Sequence, residues 1–168
     1  MKYAVSIFIL FFLQGCVEVG FKNPQPEKGK TLEKIPQEMI AFYTQQGKDS
    51  TKQKGELQIS DWGEDLDESG AIPENSILKY WKGNYFFNQK KDSLWYIIMI
   101  VPGSVKNTFD TYKMDGGNEK TVSILKQITR VNEVYSESGD LKLIIIDPST
   151  SEFKKIIKSG AFEKLDIF

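Results

Sequence analysis

Residues 84–101, NYFFNQKKDSLWYIIMIV, decide how the chain folds. Two runs rich in aromatic and β-branched side chains, 84–88 and 93–101, flank the polar QKKD at 89–92, which is the pattern of two strands joined by a turn. The second run is apolar at nearly every position. A strand with one face in water alternates, so a strand apolar on both faces has to be covered on both. The stretch therefore predicts a β-hairpin whose second arm is a central strand, ended by Pro102 and Gly103.

Working outward toward the carboxy terminus, residues 106–114 alternate well enough for a further strand. Asn118 is placed to cap a helix beginning at Glu119, with Val122, Leu125 and Ile128 on one face. VNEVYS at 131–136 and LKLIIID at 141–147 read as a second hairpin around ESGD. Residues 148–151 start a last helix, whose apolar face is Phe153, Ile156 and Ile157, and Gly160 stops it. Toward the amino terminus, GELQISDW at 55–62 alternates as a half-buried strand does. Ile35, Met39, Ile40, Phe42 and Tyr43 form the first apolar cluster, and Pro36 suits the first position of a helical turn leading into a strand. The expected fold class is α+β and β-rich: a mostly antiparallel sheet of hairpins, or a partly open small barrel, with one or two carboxy-terminal helices.

The residue inventory narrows the chemistry. The chain has 168 residues and no histidine, which removes histidine-based triads and imidazole metal sites. Its single cysteine rules out an intramolecular disulfide. A formal charge of −1, with cations scattered among anions, provides no electrostatic footprint for nucleic acid. DLDESGAIPENS at 65–76 imitates a calcium loop, with Asp65, Asp67, Ser69 and Gly70 at suitable positions. Ser76 stands where the closing bidentate carboxylate belongs, and Pro73 stiffens the loop, so a solvated acidic turn is the better reading. No nucleophile elbow, Ser-x-x-Lys motif or phosphate-binding glycine loop is present, and Gly116-Gly117 reads as an ordinary turn. No catalytic residue, metal or cofactor is expected. Trp81, Tyr85 and Trp95 surround the predicted hairpin and are the candidates for an aromatic-lined ligand or carbohydrate pocket, against core packing as the alternative use.

The amino terminus carries a different kind of information. Lys2 precedes an uncharged apolar run, Tyr3 to Leu13, of 11 residues, too short for a helix that needs about 20 to span a bilayer. A basic start, a short apolar core and a small residue before a break make a signal peptide over 1–15. The break itself, Leu13-Gln14-Gly15-Cys16, resembles the lipobox of bacterial lipoproteins. That resemblance implies cleavage between Gly15 and Cys16 and attachment of diacylglyceryl to the Cys16 sulfur, with acyl chains such as palmitate. Several buried chains turn marginal membrane binding into stable anchoring. Removing the first 15 of 168 residues leaves 153, enough for a hydrophobic core without metals or cross-links.

Residues 16–34, beginning CVEVGFKNPQPEKGK, hold little to bury and are expected to form the lipidated cysteine and a flexible tether, ahead of a single domain at 35–168. A strand starting at Val17 is the alternative, and it fits as far as Phe21. With the lipobox, NPQPE at 23–27, IPQEMIAFY at 35–43 and YFFN at 85–88 before a Trp-containing strand, the chain is similar to the small lipoproteins common in Bacteroidota. Ala41 stands where that opening usually has glycine. The resemblance implies an outer-membrane lipoprotein with a β-rich domain and no catalytic residues to carry over. Only Glu18 follows the cysteine as an acid, flanked by valines, which favours a periplasm-facing position over surface display. The function expected is non-catalytic: a membrane-anchored protein that binds membrane lipid through Cys16 and a protein or envelope component through its sheet or loops. The alternatives are a small-ligand or carbohydrate binder and a carboxylate-dependent hydrolase.

Overall fold

The computed structural model describes residues 17–42 and 69–165. The strand expected at 55–62 and the first four residues of the calcium-like loop fall outside them. Strands β1 (Glu18–Phe21) and β2 (Lys30–Leu32) come first, followed by helical residues 37–42, α1. Next are β3 (Ser76–Trp81), β4 (Asn84–Lys91), β5 (Leu94–Pro102) and β6 (Phe109–Lys113). Helix α2 (Glu119–Ile128), β7 (Val131–Tyr135), β8 (Leu141–Ile146), α3 (Thr150–Ser159) and β9 (Glu163–Lys164) complete the chain.

Among the described residues nine strands form one open sheet, with the path β2-β3-β4-β5-β1-β8-β7. All its pairings are antiparallel except β1 with β8. The expected α+β class with a mostly antiparallel sheet therefore holds. The sheet forks at β5. One edge of that strand pairs with β4 over its length, while the other meets β1 at Trp95 and β6 from Met99 onward. Strand β6 then carries β9.

The central hairpin lies where the sequence puts it, with its turn shortened to Asp92 and Ser93 because both arms continue pairing to Lys91 and Leu94. Both faces are covered, as an apolar β5 requires. On one face Phe86, Ile97 and Met99 join Val19, Phe21, Ile144 and Ile146 beneath Leu125 of α2 and Phe153 and Ile156 of α3. On the other, Leu78, Phe87, Ile100 and Phe109 pack against Ile35, Met39 and Ile40. Pro36 opens α1, its carbonyl accepting from the backbone N–H groups of Met39 and Ile40, and the chain stays helical to residue 42 where the sequence suggests a turn leading into a strand.

The helices begin where their caps predict. Asn118 Oδ1 accepts from the Lys120 N–H at 2.9 Å. Ser149 and Glu152 form a reciprocal capping box on α3, and Gly160 ends that helix at φ 80°, the left-handed conformation glycine adopts without a Cβ penalty. The strand expected at 106–114 is confined to Phe109–Lys113.

The largest correction concerns residues 16–34. From Val17 on they are not a tether: 18–21 and 30–32 are strands of the sheet, and the residues between them are fastened across its face. Strand β1 pairs with β8 from Glu18↔Leu143 to Phe21↔Ile146, and Val19 and Phe21 are buried in the helix-side core. The segment after it crosses the same face and is fastened by buried polar groups. Asn88 Oδ1 accepts from the Gln25 N–H at 2.7 Å, and Asn88 Nδ2 donates to the Gln25 carbonyl at 2.8 Å. Lys79 Nζ donates to the carbonyls of Pro24 at 3.3 Å and Pro26 at 2.9 Å. The Gln25–Pro26 peptide is cis. The composition misleads because this segment is bound mainly through its backbone, which hydropathy does not measure.

Candidate functional site

Trp81, Tyr85 and Trp95 do not share a pocket. The register puts Trp81 and Trp95 on the helix-side face, Trp81 opposite Asn84 and Trp95 opposite Lys90, six residues apart along β4. At about 3.3 Å per residue that places them at opposite ends of the hairpin. Trp81 packs on Phe153, ring centroids 6.5 Å apart, and Trp95 lies under the Lys90 ammonium at 5.8 Å. Tyr85 points to the other face, packed between Tyr80, tilted at 4.9 Å, and Phe109, edge-on at 6.3 Å. Burial holds the Tyr85 phenol above its ordinary pKa, reinforced by Glu38 and then Tyr80. These aromatics pack the hairpin, the use weighed against a ligand site. The period-2 alternation of a strand separates Tyr85 from the tryptophans.

A cleft occurs elsewhere, beside the first described residue. It has a volume of about 590 Å³ and a mostly apolar wall built from Val17, Gly116, Gly117, Val122 and Leu141. Its polar groups come from Glu119, Ser123, Lys126 and Gln127. Helix α2 contributes positions 119, 122, 123, 126 and 127, a spacing of three and four that forms one helical face. Leu141 stands at the start of β8.

Val17 is fixed in this wall. Its carbonyl accepts from the Gly116 N–H at 2.9 Å, and Glu18 next to it enters the β1–β8 ladder. Gly116 is required by that closeness: a Cβ there would stand 2.8 Å from Val17 Cγ1 and 2.9 Å from the Val17 oxygen. The Gly116-Gly117 pair is a turn, as the sequence suggests, and the turn also makes room for the amino-terminal strand. Sequence reading missed the cleft.

Beside the cleft, Lys126 Nζ lies 2.7 Å from Glu133 Oε1, and the Tyr135 hydroxyl donates to Glu133 Oε2 at 3.1 Å. Hydrogen bonds from Lys126 and then Tyr135 hold the Glu133 carboxyl below its ordinary pKa. The same bond holds the Lys126 ammonium above its own. This group is solvent-exposed and contributes surface order. Deeper in the fold, Glu163 Oε1 accepts from Asn118 Nδ2 at 2.6 Å and Thr121 Oγ1 at 2.9 Å, tying the start of α2 to β9. Burial pulls the Lys79 ammonium below its ordinary pKa, with Glu27 acting in the opposite direction.

Gly15 and Cys16, the expected cleavage and lipidation residues, precede the described residues. Among the described residues no cluster of His, Cys, Asp or Glu could hold a metal ion, and no helix is long and apolar enough to cross a membrane. No family model, curated protein or solved structure matches this chain.

Proposed function

We propose that this protein is a bacterial envelope lipoprotein, anchored through lipid on Cys16, facing the periplasm from the outer membrane and binding a protein or envelope component without catalysis. One observation carries the reading: the order of Lys2, the apolar run to Leu13 and then Gln14-Gly15-Cys16, in which the only thiol of the chain occupies the lipobox position. The start of β1 at Glu18, two residues beyond Cys16, adds a geometric consequence. A domain whose sheet begins so close to its anchor is held against the bilayer surface, so its partners are membrane-proximal.

Cys16→Ser tests the anchor. Cells fed a labelled fatty acid should label the wild type and not the variant, which should accumulate as precursor. Equal labelling of both would overturn the reading. A second reading, a binder of small apolar ligands, is favoured by the cleft beside Val17 and not by the aromatic trio. Heat of binding on calorimetric titration with lipids and glycans, lost in Ser123→Trp, would support it, and no heat across the panel would remove it.

A further inference from the structure

We infer that the cleft between β1, α2 and β8 seats one acyl chain of the lipid carried by the protein's own Cys16. The inference rests on the lipoprotein reading above and goes beyond it, because anchoring alone would leave every chain in the bilayer, whereas here one is withdrawn into the protein and the others hold it to the membrane.

Position is the first argument. Val17 is both the residue bonded to Cys16 and part of the cleft wall. Its carbonyl is held by the Gly116 N–H at 2.9 Å, and Glu18 is paired with Leu143 in the sheet. Consecutive Cα atoms across a trans peptide are about 3.8 Å apart, so no linker separates a group attached at Cys16 from Val17 of the cleft wall. Had residues 17–34 been a tether, the two would be unrelated.

Chemistry is the second. Val17, Val122 and Leu141 offer an aliphatic surface, and the glycine pair Gly116-Gly117 leaves part of the wall without side-chain bulk. Water against such a wall is displaced favourably by a hydrocarbon chain. Lys126 and Gln127, from the same helical face, supply donors of the kind that ester carbonyls accept. Size is the third. A volume of about 590 Å³ lies within the range of small-molecule sites, about 300–1,000 Å³, which suits one chain and not a whole lipid.

The test uses the full chain produced in a host that processes lipoproteins and fed a fatty acid bearing a diazirine near its end. The purified lipidated protein is irradiated in mild detergent, and crosslinked peptides are mapped by mass spectrometry. Crosslinks should fall within the same chain, on residues 116–127 and around Leu141. Ser123→Trp, at an exposed position of the cleft, should keep the label on Cys16 and lose these crosslinks. Gln127→Trp, also exposed, serves as a second filling variant, and unchanged circular dichroism certifies both.

Label on Cys16 with crosslinks only to detergent, scattered over other surfaces or only between copies would overturn the inference and leave the anchor standing. Absence of label on Cys16, read from the intact mass, would overturn both.

Discussion

The segment at 22–29 and helix α3 lie on the same face of the sheet and touch each other, yet they are held by different forces. Helix α3 is seated by hydrocarbon: Phe153 and Ile156 are fully buried, and Phe153 meets Phe21, Phe86 and Phe162 edge-on at 6.1, 5.6 and 6.3 Å. The segment is seated by hydrogen bonds from Asn88 and Lys79, and by the Gln25 amide donating to the Pro148 carbonyl at 3.2 Å. The contrast teaches that two stretches of very different hydropathy can be equally committed to one fold. An apolar face announces its burial, whereas a polar segment commits through partners that lie far away in sequence, 63 residues in the case of Asn88 and Gln25.

The sharpest way to break the comparison is to remove the apolar side. Phe153→Ala should cost about 3–5 kcal/mol, read as a lower midpoint in urea, because it vacates the centre of an aromatic cluster. The polar side comes next. Asn88→Ala, at a fully buried position, strands the Gln25 N–H and carbonyl together, and at about 1–2 kcal/mol each, the lower part of the range for an unsatisfied buried group, should cost about 2–4 kcal/mol. Its signature differs from that of Phe153→Ala: faster amide exchange and proteolysis within 22–29 ahead of global unfolding.

Helix α3 should also couple to β1, the strand that leads into the segment. A double-mutant cycle of Phe21→Ala and Phe153→Ala should return an interaction of about 1 kcal/mol, and strict additivity would mean that the ring contact contributes nothing. Ser149→Ala removes the cap of α3 and should cost about 1 kcal/mol by thermal melting.

The smallest effect is a pH dependence. The backbone N–H and hydroxyl of Ser149 both donate to Glu152 at 2.7 Å and hold its carboxyl below the ordinary value. A carboxyl depressed in the folded state stabilises fully above its unfolded value, about 4.3, and loses that contribution as pH falls through the lower folded value. The melting difference between wild type and Glu152→Gln should therefore be largest at neutral pH and shrink toward pH 3. A difference that grows on acidification would contradict the assignment.

Much of this could be read from single residues. The hairpin of β4 and β5, both helix caps, the ESGD turn and the Gly160 stop are local devices, in which each signal lies within a few residues of what it determines. Strand β3 was missed although the Lys82-Gly83 turn joins it to β4, with φ values of 51° and 86° that fit a tight hairpin. Its sequence SILKYW interrupts alternation with Lys79, whose ammonium is buried against carbonyls instead of pointing to water. The cleft was invisible because its walls come from residues 17, 116–127 and 141, and no sequence pattern brings these together.

By itself, then, the amino-acid sequence determined the central hairpin and the boundaries of the carboxy-terminal helices, since periodicity, caps and turn residues act over one or two turns of chain. Only the tertiary structure decided that residues 18–21 and 30–32 are strands of the sheet, with 22–29 laid across its face, and that the chain following Cys16 enters it beside an apolar cleft. The cause is physical: backbone pairing with β8 and side-chain bonds from Asn88 and Lys79 link positions 50 or more residues apart, and such partners exist only once the rest of the sheet has formed.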